Sequence, residues 1–165
     1  NDAVVVFLKN MEANQRVIGE YQITEQNIVK KLPQVLDKLN KKDDSAFISL
    51  GNVLYRFRWL DASAKVYETL IINQPDNPYG YQGAGYAYAT MNDPKTQEKA
   101  AKNLKKAIDL GFESFNNYLT LGIINANLGK FFEAEESIKK ALEINPDSQN
   151  TKQALEMVRK KIHYQ

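Results

Sequence analysis

Residues 115–148 decide the fold of this 165-residue chain and read FNNYLTLGIINANLGKFFEAEESIKKALEINPDS. In the first half, four residues recur at the spacing i, i+3, i+4 and i+7, which is one face of an α-helix. These four residues are Tyr118, Leu121, Gly122 and Asn125. Gly129 is typical of a helix C-terminus, and Pro146 cannot continue a helix. The stretch therefore predicts two helices joined by a short turn.

The same pattern recurs upstream, which indicates an internal repeat. Gly51, Gly85 and Gly122 lie 34 and 37 residues apart. After each glycine, at similar distances, come a small residue, a large apolar or aromatic residue and a further apolar residue, and then a short motif that closes the unit. The matching sets are Ser63, Ala100 and Ala134; Tyr67, Leu104 and Ile138; Leu70, Ala107 and Ala141; and the motifs IINQP (71–75), IDLGF (108–112) and LEINP (142–146). Several registers with one shared period are the signature of repeat architectures.

The pattern resembles the tetratricopeptide repeat, a helix–turn–helix unit of about 34 residues. The motif residues include Phe47, Gly51 and Tyr67 in one unit and Tyr118 and Gly122 in another. The resemblance implies an all-α fold, a right-handed α-solenoid. The resemblance divides the chain into three parts. Residues 1–43 form a helical hairpin or degenerate repeat, residues 44–77, 78–114 and 115–148 form three repeats, and residues 149–165 form a capping helix.

Two local features depart from a regular repeat. The second repeat carries three additional residues around Asp93 and Pro94, and an Asn-Asp-Pro sequence is a turn signal. We therefore expect a longer turn between its two helices. Pro33 lies within the second helix of the N-terminal hairpin and is expected to kink or split that helix.

The resemblance also implies that the first helix of each repeat lines a concave groove. None of the residues at the corresponding positions is charged, although 25% of the chain is charged. An uncharged, tyrosine-rich groove suits a peptide or a partner protein. The expected groove residues are Ile48, Asn52, Tyr55, Tyr79, Gln82, Tyr86, Asn116, Leu119 and Ile123. Arg56 and Arg58 flank Phe57 and are interpreted either as a rim contact for an acidic partner or as part of a packed turn.

Some co-chaperones of this family bind acidic C-terminal tails through a clamp of Lys, Asn and Arg. Asn52 matches one clamp position, but Ile48, Asn116 and Thr120 stand where the cations are expected. A carboxylate bound there would lose its hydration without gaining a charged partner. The sequence therefore argues against that activity.

Composition excludes several other functions. Lys and Arg number 22 against 20 Asp and Glu, so overall charge does not favour nucleic-acid binding. The chain has no cysteine and a single histidine, His163, which leaves no set of residues for a His- or Cys-based metal site or a catalytic triad. We therefore expect no enzyme activity, no metal and no cofactor. No apolar run approaches the roughly 20 residues of a transmembrane helix.

The lysines at 99, 102, 105 and 106 are interpreted as a solubilising stripe or a site for an acidic partner.

Two functions remain open at this stage. The first is a protein-interaction module, an adaptor or scaffold, that holds a peptide or partner protein in the uncharged groove. The alternative is an architectural part whose groove is filled by its own N-terminal hairpin or by a second copy, which would make a homo-oligomer. The first residue, Asn1, is compatible with a removed signal peptide or a trimmed chain, so localisation stays open.

Overall fold

A computed structural model describes residues 25–164, and every regular element in this range is an α-helix. This confirms the predicted all-α fold class. The first helix of the predicted N-terminal hairpin lies outside the described residues. The helices are α1 (Glu25–Lys38), α2 (Asp44–Arg56), α3 (Leu60–Asn73), α4 (Pro78–Met91), α5 (Pro94–Asp109), α6 (Phe115–Asn127), α7 (Phe131–Ile144) and α8 (Gln149–His163). Within this range, no helix combines the length and the apolar character that crossing a bilayer requires.

The chain divides into two compact units, one that ends at Ala87 and one that begins at Tyr88. In the first unit, α2 packs against α3, and α1 packs against α3 as well. Apolar residues at helical spacing supply the core of this unit. The fully buried side chains of α2 and α3 include Phe47, Leu54, Val66 and Leu70. On α1 and just after it, Leu32, Leu36 and Leu39 are buried.

In the second unit, α6 packs against both α5 and α7, and α8 packs against α7. Ala134 and Ile138 of α7 form a buried cluster with Leu155 and Val158 of α8. The carboxylate of Glu135 joins the same two helices at the surface, because its Oε1 lies 2.9 Å from Nε of Arg159. The helix over residues 149–163 therefore covers the apolar face of α7.

Helices α2 and α6 end in the same hydrogen-bonded motif. After α6, Gly129 has a positive φ of 75°, and the Lys130 N–H donates to the carbonyl of Asn125 at 2.8 Å. This is a Schellman motif, and glycine adopts its left-handed conformation without a steric penalty. After α2, the same position is held by Arg58, with φ of 62°. The glycine expected to end the first helix of the third repeat is confirmed in that role.

The expectation of a longer turn in the second repeat is wrong. Only Asn92 and Asp93 separate α4 from α5, whereas three residues separate α2 from α3 and α6 from α7. The Asp93 side chain accepts the Lys95 and Thr96 N–H groups at 2.9 and 3.3 Å, and Pro94 begins the helix. Because both features favour an early start, α5 is 16 residues long, and α3 and α7 are 14.

Pro33 does not split its helix, since α1 runs unbroken from Glu25 to Lys38. The proline is exposed, whereas Leu32 and Leu36 on either side of it are buried. Packing of this leucine face offsets the hydrogen bond that proline removes from the helix.

Candidate functional site

The candidate site lies in the first unit, where α2 and α4 each contribute three uncharged side chains. We call these six residues the uncharged face. Within each helix they are spaced as i, i+3 or i+4, and i+7, so they share one side of that helix. The residues of the uncharged face are Ile48, Asn52 and Tyr55 from α2 and Tyr79, Gln82 and Tyr86 from α4.

Tyr67 of α3 lies between these two helices. Its side chain is 3% exposed. A Cβ added to Gly51 of α2 would lie 2.5 Å from Cζ of Tyr67, and one added to Gly83 of α4 would lie 2.3 Å from its Cε1. The ring therefore rests against the backbone of both helices, and the two glycines leave the space that it fills. This packing sets α2 and α4 beside each other.

The Tyr67 hydroxyl reaches through to the uncharged face. It donates to Oδ1 of Asn52 at 2.7 Å, and it lies 3.4 Å from the carbonyl oxygen of Ile48. Burial raises the pKa of Tyr67 well above its usual value. The hydroxyl therefore keeps its proton and acts as a donor over the whole physiological pH range.

Tyr55, Gln82 and Tyr86 form the second part of the uncharged face. Burial raises the pKa of Tyr86, a hydrogen bond with the Gln82 side chain acts in the opposite direction, and the nearby Tyr55 raises it further. All three side chains are partly buried, whereas Asn52 is exposed and Tyr79 is 46% exposed. The surface thus combines apolar ring area with hydroxyl and amide groups, and none of its six residues carries a charge.

The remaining predicted groove residues lie in the second unit, on α6. Asn116, Leu119 and Ile123 are spaced as i, i+3 and i+7 and so share one side of that helix. Asn116 and Ile123 are exposed, and Leu119 is partly buried. They form a separate uncharged strip of the second unit.

Arg56 and Arg58 lie at the end of α2, and both are exposed. The rings of Phe57 and Trp59 stack with a centroid distance of 5.4 Å, and the backbone N–H of Trp59 donates to the carbonyl of Leu54 at 3.0 Å. Holding Arg58 at positive φ costs about 1–2 kcal/mol relative to glycine. These contacts pack the turn that follows α2.

The second unit contains a cleft of about 520 Å³ between α5, α6 and α7. Tyr118, Leu121 and Asn125 of α6 line it together with charged residues of α5 and α7 and of the turn before α7. The charged lining residues balance, since they are Lys102, Lys105, Lys130, Lys140, Glu98, Asp109, Glu133 and Glu136. Two members of the predicted lysine stripe thus line a cleft with equal numbers of both signs, which does not select an acidic partner.

The sequence predicted the six residues of the uncharged face as groove residues, but it predicted neither the support from Tyr67 nor the cleft of the second unit. Between residues 25 and 164, no three His, Cys, Asp or Glu side chains come together in a way that could hold a metal ion.

Known proteins resemble this chain in its repeat sequence and in its fold. The sequence model of the tetratricopeptide repeat matches residues 115–148. The protein STIP1 homolog of Dictyostelium discoideum is 27% identical over 117 residues, which are 71% of this chain and 20% of that protein. The chain therefore spans about a fifth of the length of this curated relative.

Solved structures share the fold at low sequence identity. A structure of MamA AMB-1 has a TM-score of 0.70 at 22% identity and covers 99% of this chain and 85% of its own. The first tetratricopeptide repeat domain of Spaghetti (RPAP3), bound to the HSP90 peptide SRMEEVD, has a TM-score of 0.67 at 18% identity, with 76% and 97% covered. YrrB, described as having an unusual peptide-binding site, has a TM-score of 0.67 at 20% identity, with 77% and 63% covered. Residues 115–148 thus match the sequence model of one tetratricopeptide repeat, and the chain shares the helical-repeat fold of these solved structures.

Proposed function

We propose that this chain binds a peptide, or an extended segment of a partner protein, on the uncharged face of α2 and α4. The observation that carries the proposal is the meeting of Tyr55, Gln82 and Tyr86 with Asn52 on one side of two helices that Tyr67 holds together. Tyrosine combines apolar area with a hydrogen-bonding group and is enriched among the residues that dominate binding energy. An amide side chain can pair with the main chain of an extended peptide.

The charge of the surface defines the ligand class further. One solved relative is bound to the HSP90 peptide SRMEEVD, which contains three carboxylate side chains. In this chain, Ile48, Asn116 and Thr120 occupy the positions where the resemblance implies cations. An acidic tail would lose hydration at these positions without a charged partner. The proposed ligand is therefore a neutral, hydrogen-bonding and partly apolar peptide.

The organisation of the chain is part of the proposal. Residues 44–77, 78–114 and 115–148 are proposed as three repeats, with residues 149–165 as the capping segment and residues 1–43 as an N-terminal hairpin. The strip formed by Asn116, Leu119 and Ile123 is proposed as an additional uncharged ligand contact of the second unit. Arg56 and Arg58 are proposed as part of the packed turn.

Alanine substitution of Tyr55 and Tyr86 tests the proposed site. The ligand is a peptide selected from a random-sequence display library on the wild-type chain, and its dissociation constant is measured by titration calorimetry. Truncating a tyrosine that dominates binding costs about 2 kcal/mol or more, so each substitution is expected to weaken binding about 30-fold. Tyr164→Ala is the matched control, because Tyr164 is 88% exposed and lies beyond α8; it should leave the affinity unchanged.

The proposal is wrong if Tyr55→Ala and Tyr86→Ala keep both the wild-type helicity and the wild-type affinity. Light scattering on the same variants addresses the architectural alternative. A wild-type dimer that becomes monomeric in Tyr55→Ala would assign the uncharged face to a second copy of the chain instead of a foreign peptide.

A further inference from the structure

The amide of Asn52 is an exposed polar group of the uncharged face with a defined partner on one side. Its Oδ1 accepts the hydrogen bond from the Tyr67 hydroxyl at 2.7 Å. The other acceptor beside that hydroxyl, the carbonyl oxygen of Ile48, is farther away at 3.4 Å. Because a hydroxyl has a single proton, the shorter contact defines its direction. The two groups next to the Tyr67 oxygen are therefore arranged as acceptors, with Asn52 the stronger of the two.

The Tyr67 ring has little freedom to move away from Asn52. A Cβ added at Gly51 or at Gly83 would lie within 2.5 Å of ring atoms of Tyr67, so neither position would admit a methyl group. The side chain is 3% exposed, so no neighbouring space allows a second rotamer without repacking. The hydroxyl is thus held in one position by the backbones of α2 and α4.

We propose that Tyr67 is a positioning residue, which fixes the Asn52 side chain with its Nδ2 group turned toward the ligand. This inference rests on the proposed function of the uncharged face. With Oδ1 turned to the Tyr67 hydroxyl, the Nδ2 group of this exposed side chain faces away from that hydroxyl and offers its donors to the ligand. A ligand that displaces water from these donors has to supply an acceptor at this point.

The chemistry of the face selects the kind of acceptor. A carboxylate would exchange a full hydration shell for neutral donors, since none of the six residues of the face is a cation. A main-chain carbonyl loses less hydration and matches the donor strength of a side-chain amide. The Asn52 amide therefore binds a main-chain carbonyl of an extended peptide. Because Tyr67 is held in the core, the orientation of this amide is set by the fold.

Tyr67→Phe tests the positioning role directly, because the ring stays between the two glycines and only the hydroxyl is lost. The first readout is the NMR order parameter of the Asn52 side-chain amide in the ligand-free chain. We expect this order parameter to be clearly higher in the wild type than in Tyr67→Phe, where it should fall below about 0.6, the range of flexible groups. Asn103 is the internal reference, because its Nδ2 donates to the carbonyl of Lys99 at 2.9 Å and should stay unchanged.

The second readout is the affinity for the display-selected peptide. Tyr67→Phe should weaken binding about 2–10-fold, the range of one net hydrogen bond. Asn52→Asp keeps the acceptor for Tyr67 but removes both donors, and this exposed substitution is expected to weaken binding about tenfold or more. An unchanged order parameter in a folded Tyr67→Phe chain would overturn the inference, and so would wild-type affinity in Asn52→Asp.

These outcomes separate the inference from the proposed function. Loss of binding in Tyr55→Ala and Tyr86→Ala with a rigid Asn52 amide in Tyr67→Phe refutes the positioning role alone. A mobile Asn52 amide in Tyr67→Phe, combined with unchanged affinity in the tyrosine variants, refutes the proposed binding site and leaves the Tyr67–Asn52 coupling in place.

Discussion

Replacing Phe47 by alanine is expected to lower the free energy of unfolding by about 3–5 kcal/mol. Phe47 is fully buried in the core of the first unit, and alanine would leave both the lost apolar contacts and a cavity. Small domains are stable by only about 5–15 kcal/mol, so this loss is a large fraction of the total. Urea unfolding followed by circular dichroism at 222 nm measures the change.

Ile72→Ala is the matched control for Phe47→Ala. Ile72 lies on α3 of the same unit and is 76% exposed. Its truncation should change the free energy of unfolding by no more than about 0.5 kcal/mol. Equal effects of the two substitutions would contradict the packing of α2 against α3.

Gly83→Ala is expected to destabilise the chain by about 1–3 kcal/mol, although alanine is the better helix former by about 1 kcal/mol. The new Cβ would lie 2.3 Å from Cε1 of Tyr67. The ring cannot retreat, because the backbone at Gly51 already lies against it. Thermal and urea unfolding of the variant measure the cost of this overlap.

Gly80→Ala provides a graded comparison on the same helix. Its Cβ would lie 3.0 Å from Cγ1 and 3.3 Å from the backbone nitrogen of Ile71, a milder overlap than the one at Gly83. We therefore expect Gly80→Ala to cost less than Gly83→Ala. A more stable Gly83→Ala chain would show that Tyr67 does not occupy the space between α2 and α4.

The repeat pattern predicted the helix pairs well, because its key residues act within one hairpin. Gly51 and Gly122 follow the period of the repeat, and each lies against the second helix of its own pair: Gly51 against Tyr67 and Gly122 against Ile138. Gly83 falls outside that period, and its role depends on Tyr67 in the preceding hairpin. The sequence offered one sign of this role. Three glycines in one helix lower its stability, which indicates that another element packs closely against the helix but does not identify that element.

Local turn chemistry was harder to interpret. Asn92, Asp93 and Pro94 indicated a turn, and the same letters also specify an N-cap followed by proline at the first helical position. The structure follows the second interpretation, so part of the insertion lengthens α5. At Pro33 the local signal was overruled by tertiary packing. The buried side chains of Leu32 and Leu36 stabilise α1 by more than the proline destabilises it.

The uncharged face was predictable as a set of positions but not as a working arrangement. Periodicity places Asn52 and Tyr55 on one side of a helix. It does not reveal that the hydroxyl of Tyr67, 15 residues away in the chain, holds the Asn52 amide. The cleft of the second unit was missed for a similar reason, since its walls come from α5 and α7 and only the tertiary packing brings them to α6.

The most direct test of the central claim is an NMR footprint of the display-selected peptide on the isotope-labelled wild-type chain. The proposed function predicts the largest chemical-shift changes at Asn52, Tyr55, Gln82 and Tyr86, with saturation at one equivalent of peptide. Changes confined to the cleft of the second unit, at residues such as Asn125, with none on the uncharged face, would contradict the account.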